Sequence, residues 1–373
     1  MKRIIVIKSD SAPSQLAQII HSMASADFNF TVFTGDEVII KSLKDSPVRV
    51  LKRRGVEHFN SFGDFLMFTI FSPFIWIYVF TRLINLRIKK HKVLILASLP
   101  EKLLITPWAR IIGYKVFWLE SNFLPNNFKI NIYSAFYKLW SNFATIIAAS
   151  ESVKDQLTKI YRINERNIKL IPQALPQTTN QGEIFETLAH REFERKNEAL
   201  FVIGYVGELT SENGLEYLIK AIEHFKDFIP QYQIIMVGDG SEKKNLIWLT
   251  KMMKLDHQVR FVGQQDNVSK WYPYFDILVL PRLKETNFCV IAAESMAAGT
   301  PVVASNVPGI AEVVNNQGGI LVEPKNTEAL ATAIFTLYHD KKLRHQFSLQ
   351  AKARVANYYN FEGMIEKWKE LLK

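Results

Sequence analysis

The chain has 373 residues, 48% apolar and 22% charged, and its 46 Lys and Arg exceed its 36 Asp and Glu to give a net charge of +10. That composition excludes a disordered or fibrous chain, and the length suits more than one globular domain. The lone Cys289 excludes a disulfide framework and fits a reducing cytoplasm.

In chain order, Lys2 and Arg3 lead into four apolar residues, Ile4 to Ile7. They read as a first strand, too short for a signal-peptide core. Further apolar runs at 30–33, 93–97, 116–119, 146–149 and 168–171 read as buried strands. Between Asp64 and Arg82 lie 17 uncharged residues rich in Phe, Trp and Tyr, interrupted by Pro73 and followed by Arg82, Arg87, Lys89, Lys90 and Lys92. A spanning helix needs about 20 apolar residues. Aromatic residues followed by basic ones instead fit a helix lying in the surface of an anionic bilayer. A helix packed on the first sheet would read the same way.

Charge divides unevenly. Residues 1–173 hold 24 Lys and Arg against 12 Asp and Glu, whereas residues 174–373 hold 22 against 24. A basic first half favours an anionic partner, either an acidic lipid surface or a phosphate-bearing molecule. Nucleic acid is not expected, because no binding motif accompanies the charge.

From 174 to 199 the strand pattern stops, and QTTNQGE leads into the charged run EFERKNE, a linker. Apolar runs resume at 202–206, 233–237, 259–262, 277–280, 302–304 and 319–322. Leu215, Leu218, Ile219 and Ile222 show helical spacing between them, and such alternation predicts doubly wound parallel sheets. The last stretch, 355–373, has Phe361, Ile365, Trp368 and Leu372 at helical spacing. Domains are therefore expected at 1–173 and 200–354.

Residues 275–304 are the most informative. They read strand, polar loop, helix containing Glu294, turn and strand. A loop between a strand's carboxyl end and a helix amino terminus suits anionic groups, because unpaired N–H groups point outward there. Carboxylates beside it suit the hydroxyls of a sugar or ribose.

Several motifs occur in order: IIAASESVKDQL (146–157), IKLIP (168–172), VGDGSEKKNL (237–246), the stretch 259–282, ESMAAGTPVVAS (294–305), PGIAEVV and GGILVEP (308–324). Together they resemble the retaining glycosyltransferases of family 4, whose GT-B fold has two facing Rossmann-like domains. The resemblance covers most of the chain and is strongest from Val202 to Leu330. It implies a retaining hexosyltransferase with an acceptor-side first domain, a second domain binding a nucleotide-diphosphate-sugar, and a terminal helix returning to the first domain. The acceptor would be a glycan, glycolipid or lipid-linked hydroxyl, and no metal or other cofactor would be needed.

The same resemblance places site residues. Glu294 would accept the ribose hydroxyls. Glu285, or Thr286 beside it, would reach the donor sugar. Asn287, Phe288, Cys289 and Val290 would turn backbone N–H groups to the phosphate or sugar, and Val262 and Gly263 would meet the base. The family's diphosphate-binding Arg and Lys are missing: GELTSENG (207–214) keeps Gly207 and Gly214 but has Glu208 and Asn213 at those places. A developing diphosphate needs positive charge, and Arg282 and Lys284 are the replacements expected. The acceptor-side histidine has no counterpart; Glu120, Ser121 and Asn122 occupy that neighbourhood. The first loop, KSDSAPS (8–14), lacks the family's glycines, and Gln173-Ala174 stands for Asn-Gly. Two readings follow: an enzyme transferring sugar for surface glycan or glycolipid assembly, peripheral on the cytoplasmic face, or a catalytically weak binding or scaffold subunit on the same fold.

Overall fold

A computed structural model describes residues 2–8, 15–24, 28–52, 77, 80–88, 90–124, 128, 132–175 and 200–373. The chain divides into two compact units. One comprises Met1–Gln173 with Glu362–Lys373, the other Ala174–Phe361.

The first unit is built on seven strands: β1 (Lys2–Lys8), β2 (Phe28–Thr34), β3 (Arg49–Lys52), β4 (His91–Leu96), β5 (Lys115–Glu120), β6 (Thr145–Ala148) and β7 (Ile168–Leu170). Their order is β3-β2-β1-β4-β5-β6-β7, and every pairing is parallel. The strands bury both faces, so they read as continuous apolar runs; Ile4, Ile5, Val6, Phe117 and Trp118 have no exposed surface. Strand β3 escaped the sequence pattern because it is a short edge strand with charged, exposed Arg49 and Lys52 at its ends.

The second unit has six parallel strands: β8 (Phe201–Val206), β9 (Tyr232–Val237), β10 (Val259–Gly263), β11 (Ile277–Leu280), β12 (Val302–Ser305) and β13 (Gly319–Val322). They run in the order β10-β9-β8-β11-β12-β13. The helix Leu215–Phe225 buries Leu215, Leu218, Ile219 and Ile222 against this sheet's core, as their spacing predicts. Each such side chain contributes about 1.5–3 kcal/mol of burial free energy.

One boundary differs from the sequence reading. The helix Lys341–Tyr358 runs through residue 355 and stays with the second unit, and the chain rejoins the first unit only from Glu362, within the helix Phe361–Leu372. That helix buries Phe361, Ile365, Trp368 and Leu372. Of the aromatic segment before Arg82, residues 65–76, 78 and 79 lie outside the described residues, as do 9–14 and the linker from 176 to 199. Residues 80–88 are helical. Among the described residues no helix is long and apolar enough to cross a membrane.

Candidate functional site

In the second sheet the strand order reverses between β8 and β11. A crevice opens at the carboxyl ends of strands at such a switch point, and this is where open α/β sheets bind ligands. The two loops leaving β8 and β11 are joined there. Leu283 N–H donates to Glu212 O at 2.8 Å, and Arg282 Nη1 donates to Asn213 Oδ1 at 2.6 Å. Lys284 Nζ pairs with Glu212 Oε1 at 2.5 Å. Gly214, at φ +64°, makes the approach sterically feasible, because a Cβ there would overlap Pro281 O. The β8 loop is braced from inside as well: Tyr205 Oη donates to Glu208 O at 2.8 Å, and Asn213 Nδ2 donates to the same oxygen at 2.7 Å.

The two expected replacement cations differ sharply. Arg282 is half-buried, and its second hydrogen bond, Nε to Lys284 O at 3.2 Å, again goes to a neutral acceptor. Among the described residues it makes no ion pair, although its charge is felt at Tyr205, Glu212 and Cys289. Lys284 is 66% exposed and committed to Glu212, whose carboxyl it holds below the usual carboxylate range, first through the hydrogen bond and then through its charge. Arg282 thus touches Asn213, one of the two positions where the resembling family carries a cation.

Glu294 lies in the second turn of the helix Val290–Ala297, whose first turn holds no acidic residue. The helix dipole, which acts within the first turn, does not account for it. Its Oε2 accepts from Tyr272 Oη at 2.8 Å, and Tyr272, fully buried, is fixed in turn by Thr300 Oγ1 donating to its carbonyl at 2.7 Å. Burial, with the Glu294 charge next, drives the Tyr272 hydroxyl well above its ordinary range, so it remains a donor to the carboxylate. Tyr272 was missed in the sequence because an aromatic residue in a loop gives no sign of what its hydroxyl reaches.

The loop from Glu285 to Val290 narrows the expected set of amides. Thr286 N–H is taken by Pro308 O at 3.1 Å, and Gly309, at φ +83°, lets that turn close onto Thr286. Val290 N–H turns back to Phe288 O at 3.1 Å, so Val290 is corrected out of the ligand-facing amides. Phe288 packs its ring against Tyr359, centroids 5.3 Å apart and planes tilted by 53°, and Cys289 stands at the N-cap position of the helix without a side-chain cap bond. Burial pushes the Cys289 thiol up to about 11 despite the Ala292 amide and the Arg282 charge. Glu285 is exposed on the loop, and Thr286 is half-buried. At the sheet edge the β10–β9 register skips Val262: Phe261 pairs with Met236 and Gly263 with Val237. A bulge of this kind releases backbone groups from the ladder. Gly263 has open space where a side chain would stand.

On the first unit, Glu120 is turned inward rather than presented as an acceptor-side group. It is 4% exposed, pairs with Lys102 Nζ at 2.7 Å and accepts from Tyr137 Oη at 2.5 Å. A carboxylate so engaged is a framework element, and the reading of Glu120 as a contact residue is corrected accordingly. Asn122 is half-buried beyond the end of β5.

Two doubly wound parallel units make up the chain, the architecture of the GT-B fold. Residues 186–354, most of the second unit, match the family model for glycosyl transferases group 1. An uncharacterized glycosyltransferase of Methanocaldococcus jannaschii is 29% identical over 231 residues, covering 60% of this chain and 58% of the relative. A lipopolysaccharide 1,2-N-acetylglucosaminetransferase of Salmonella typhimurium is 27% identical over 183 residues, covering 46% and 48%. The chain thus spans about half the length of the curated relatives it matches. Among solved structures, the Anabaena protein HepE in complex with UDP superposes with a TM-score of 0.77 at 18% identity, covering 100% of this chain and 99% of that one.

Proposed function

We propose that the chain is a glycosyltransferase that moves a sugar from a nucleotide-diphosphate-sugar to a hydroxyl of a glycan, glycolipid or lipid-linked acceptor, with retention of anomeric configuration. The observation that carries the reading is the Arg282 guanidinium, held across the switch point by neutral acceptors and without an ion-pair partner among the described residues. In this scheme Glu294 accepts the ribose hydroxyls, Val262 and Gly263 face the base, and Glu285 or Thr286 reaches the sugar. Arg282 stabilises the diphosphate as its bond to the anomeric carbon breaks and the electron pair leaves with it. The acceptor hydroxyl enters on the same face, and its proton passes to the departing phosphate oxygen. No metal is given a role, since a fixed guanidinium supplies charge where the leaving group develops it. The binding-subunit alternative rested on missing cations, and Arg282 at Asn213 weakens it.

The test is a thermal-shift screen with nucleoside diphosphates and their sugar conjugates, followed by single-turnover cleavage of whichever donor stabilises the protein. A ligand at about 100 times its Kd adds roughly 2.7 kcal/mol of stability. Arg282→Ala is expected to slow cleavage by about 100-fold while changing donor affinity less. No stabilisation by any nucleotide would sink the proposal.

The basic segment 65–92 and the positive first unit support a second, smaller proposal, attachment to an anionic membrane surface on the cytoplasmic side. Each Lys or Arg near such a surface contributes about 1 kcal/mol. Sedimentation with phosphatidylserine vesicles should therefore be strong at low salt and fade as salt is added. A protein that stays in the supernatant at low salt contradicts the attachment.

A further inference from the structure

The clasp at the switch point sorts charge as well as joining two loops. Arg282 is fastened by Asn213 Oδ1 and Lys284 O, both neutral. Asn213 cannot turn its amide round, because Nδ2 is already engaged by Glu208 O at 2.7 Å and Thr210 Oγ1 at 3.1 Å. Glu212 feels the Arg282 charge, and its backbone carbonyl is bound by the neighbouring Leu283 N–H. Its carboxylate is nevertheless spent on Lys284. A carboxylate released beside a half-buried guanidinium would pair with it, and the paired cation would lose much of its attraction for an incoming anion.

We propose that Lys284 is a positioning residue acting through Glu212: it holds that neighbouring carboxylate away so that the Arg282 charge stays available to a diphosphate. Asn213 completes the device by orienting the guanidinium without neutralising it. This inference rests on the proposed role of Arg282, and it gives Lys284 a part that needs no contact with the substrate. It also accounts for an amide at 213, since an aspartate there would cancel the Arg282 charge and set an oxygen against the Glu208 carbonyl that the amide now donates to.

The test uses the full chain and inorganic pyrophosphate, a probe that carries the diphosphate without a base or sugar. Its affinity is measured calorimetrically for the wild type, Lys284→Ala, Glu212→Gln, the double variant and Arg282→Ala, with Tm recorded for each. Lys284→Ala is expected to weaken binding about tenfold, the scale of one charge-assisted hydrogen bond. Glu212→Gln alone should not weaken it, and combining it with Lys284→Ala should restore wild-type affinity. Asn213→Asp should lose affinity, and some Tm with it, because its second oxygen would oppose Glu208 O. A double variant as weak as Lys284→Ala would mean that Lys284 touches the anion directly, which overturns the inference. So would wild-type affinity in Lys284→Ala, provided Arg282→Ala is impaired. If Arg282→Ala binds like the wild type, or the wild type does not bind millimolar pyrophosphate, the Arg282 reading and this inference fall together.

Discussion

Both sheets reverse their strand order at the centre, between β1 and β4 in one unit and between β8 and β11 in the other, yet the charges at the two reversals are treated in opposite ways. In the first unit Lys8, the last residue of β1, pairs with Asp36 at 3.1 Å, and Lys102, in the helix that follows β4, pairs with Glu120 at 2.7 Å. All four side chains are almost fully buried. In the second unit Arg282 is half-buried and meets only neutral acceptors among the described residues. A cation matched to an internal carboxylate belongs to the framework, while a cation held by amide and carbonyl oxygens keeps its charge for something else. The same topology thus carries a closed electrostatic circuit in one place and an open one in the other.

The comparison breaks most visibly at Lys102. Replacing it with Ala leaves Glu120 buried and uncompensated, and the expected cost is about 3–5 kcal/mol in urea denaturation. Lys102→Met combined with Glu120→Leu should recover most of that loss, since well-packed apolar residues often replace a buried pair without penalty. If Lys102→Ala proves neutral, the first unit's pair is not framework and the contrast disappears.

Cys289 sharpens the other side. Its thiol, raised from 9.0 to about 11, holds its proton at neutral pH, so the thiolate fraction is lower by about 100-fold than for an unperturbed thiol. Alkylation by iodoacetamide at pH 8 should be correspondingly slow and should accelerate as pH rises toward 11. Rapid labelling at pH 8 would show that the loop opens readily and that Arg282 is less fixed than its hydrogen bonds imply.

Glu294→Ala is expected to weaken nucleoside diphosphate binding by about 2 kcal/mol, the scale of hydrogen bonds to a charged group. It also strands the buried Tyr272 hydroxyl, so Tyr272→Phe is the companion variant. If Tyr272→Phe loses as much affinity as Glu294→Ala, then Glu294 serves the fold rather than the ligand. The smallest effect is expected from Glu212→Gln. The Lys284–Glu212 bridge is exposed on both sides, and such pairs contribute at most about 1 kcal/mol to stability. A larger loss in Tm would assign the bridge to the framework, as in the first unit.

Strands of parallel sheets bury both faces, so β1 and β8 appeared as unbroken apolar runs, and alternation with helices such as Leu215–Phe225 announced the doubly wound class without reference to long-range contacts. Strand β3 was invisible for the converse reason: an edge strand with charged ends has no such run. Glu294 could be picked out as a candidate because local order places it on the helix behind the loop. Its partner Tyr272, 22 residues away, was not. Nor could local pattern choose between Arg282 and Lys284, which stand two residues apart in one polar loop. What sets them apart is their partners far along the chain, with Asn213 lying 69 residues from Arg282 and Glu212 lying 72 from Lys284. Glu120 failed in the same way, since a carboxylate at a strand end looks equally available whether it faces solvent or Lys102. Apolar period and turn chemistry are local properties of a chain and survive in its sequence. The pairing of one charge with another is set by how strands are brought together, and only the folded structure decides it.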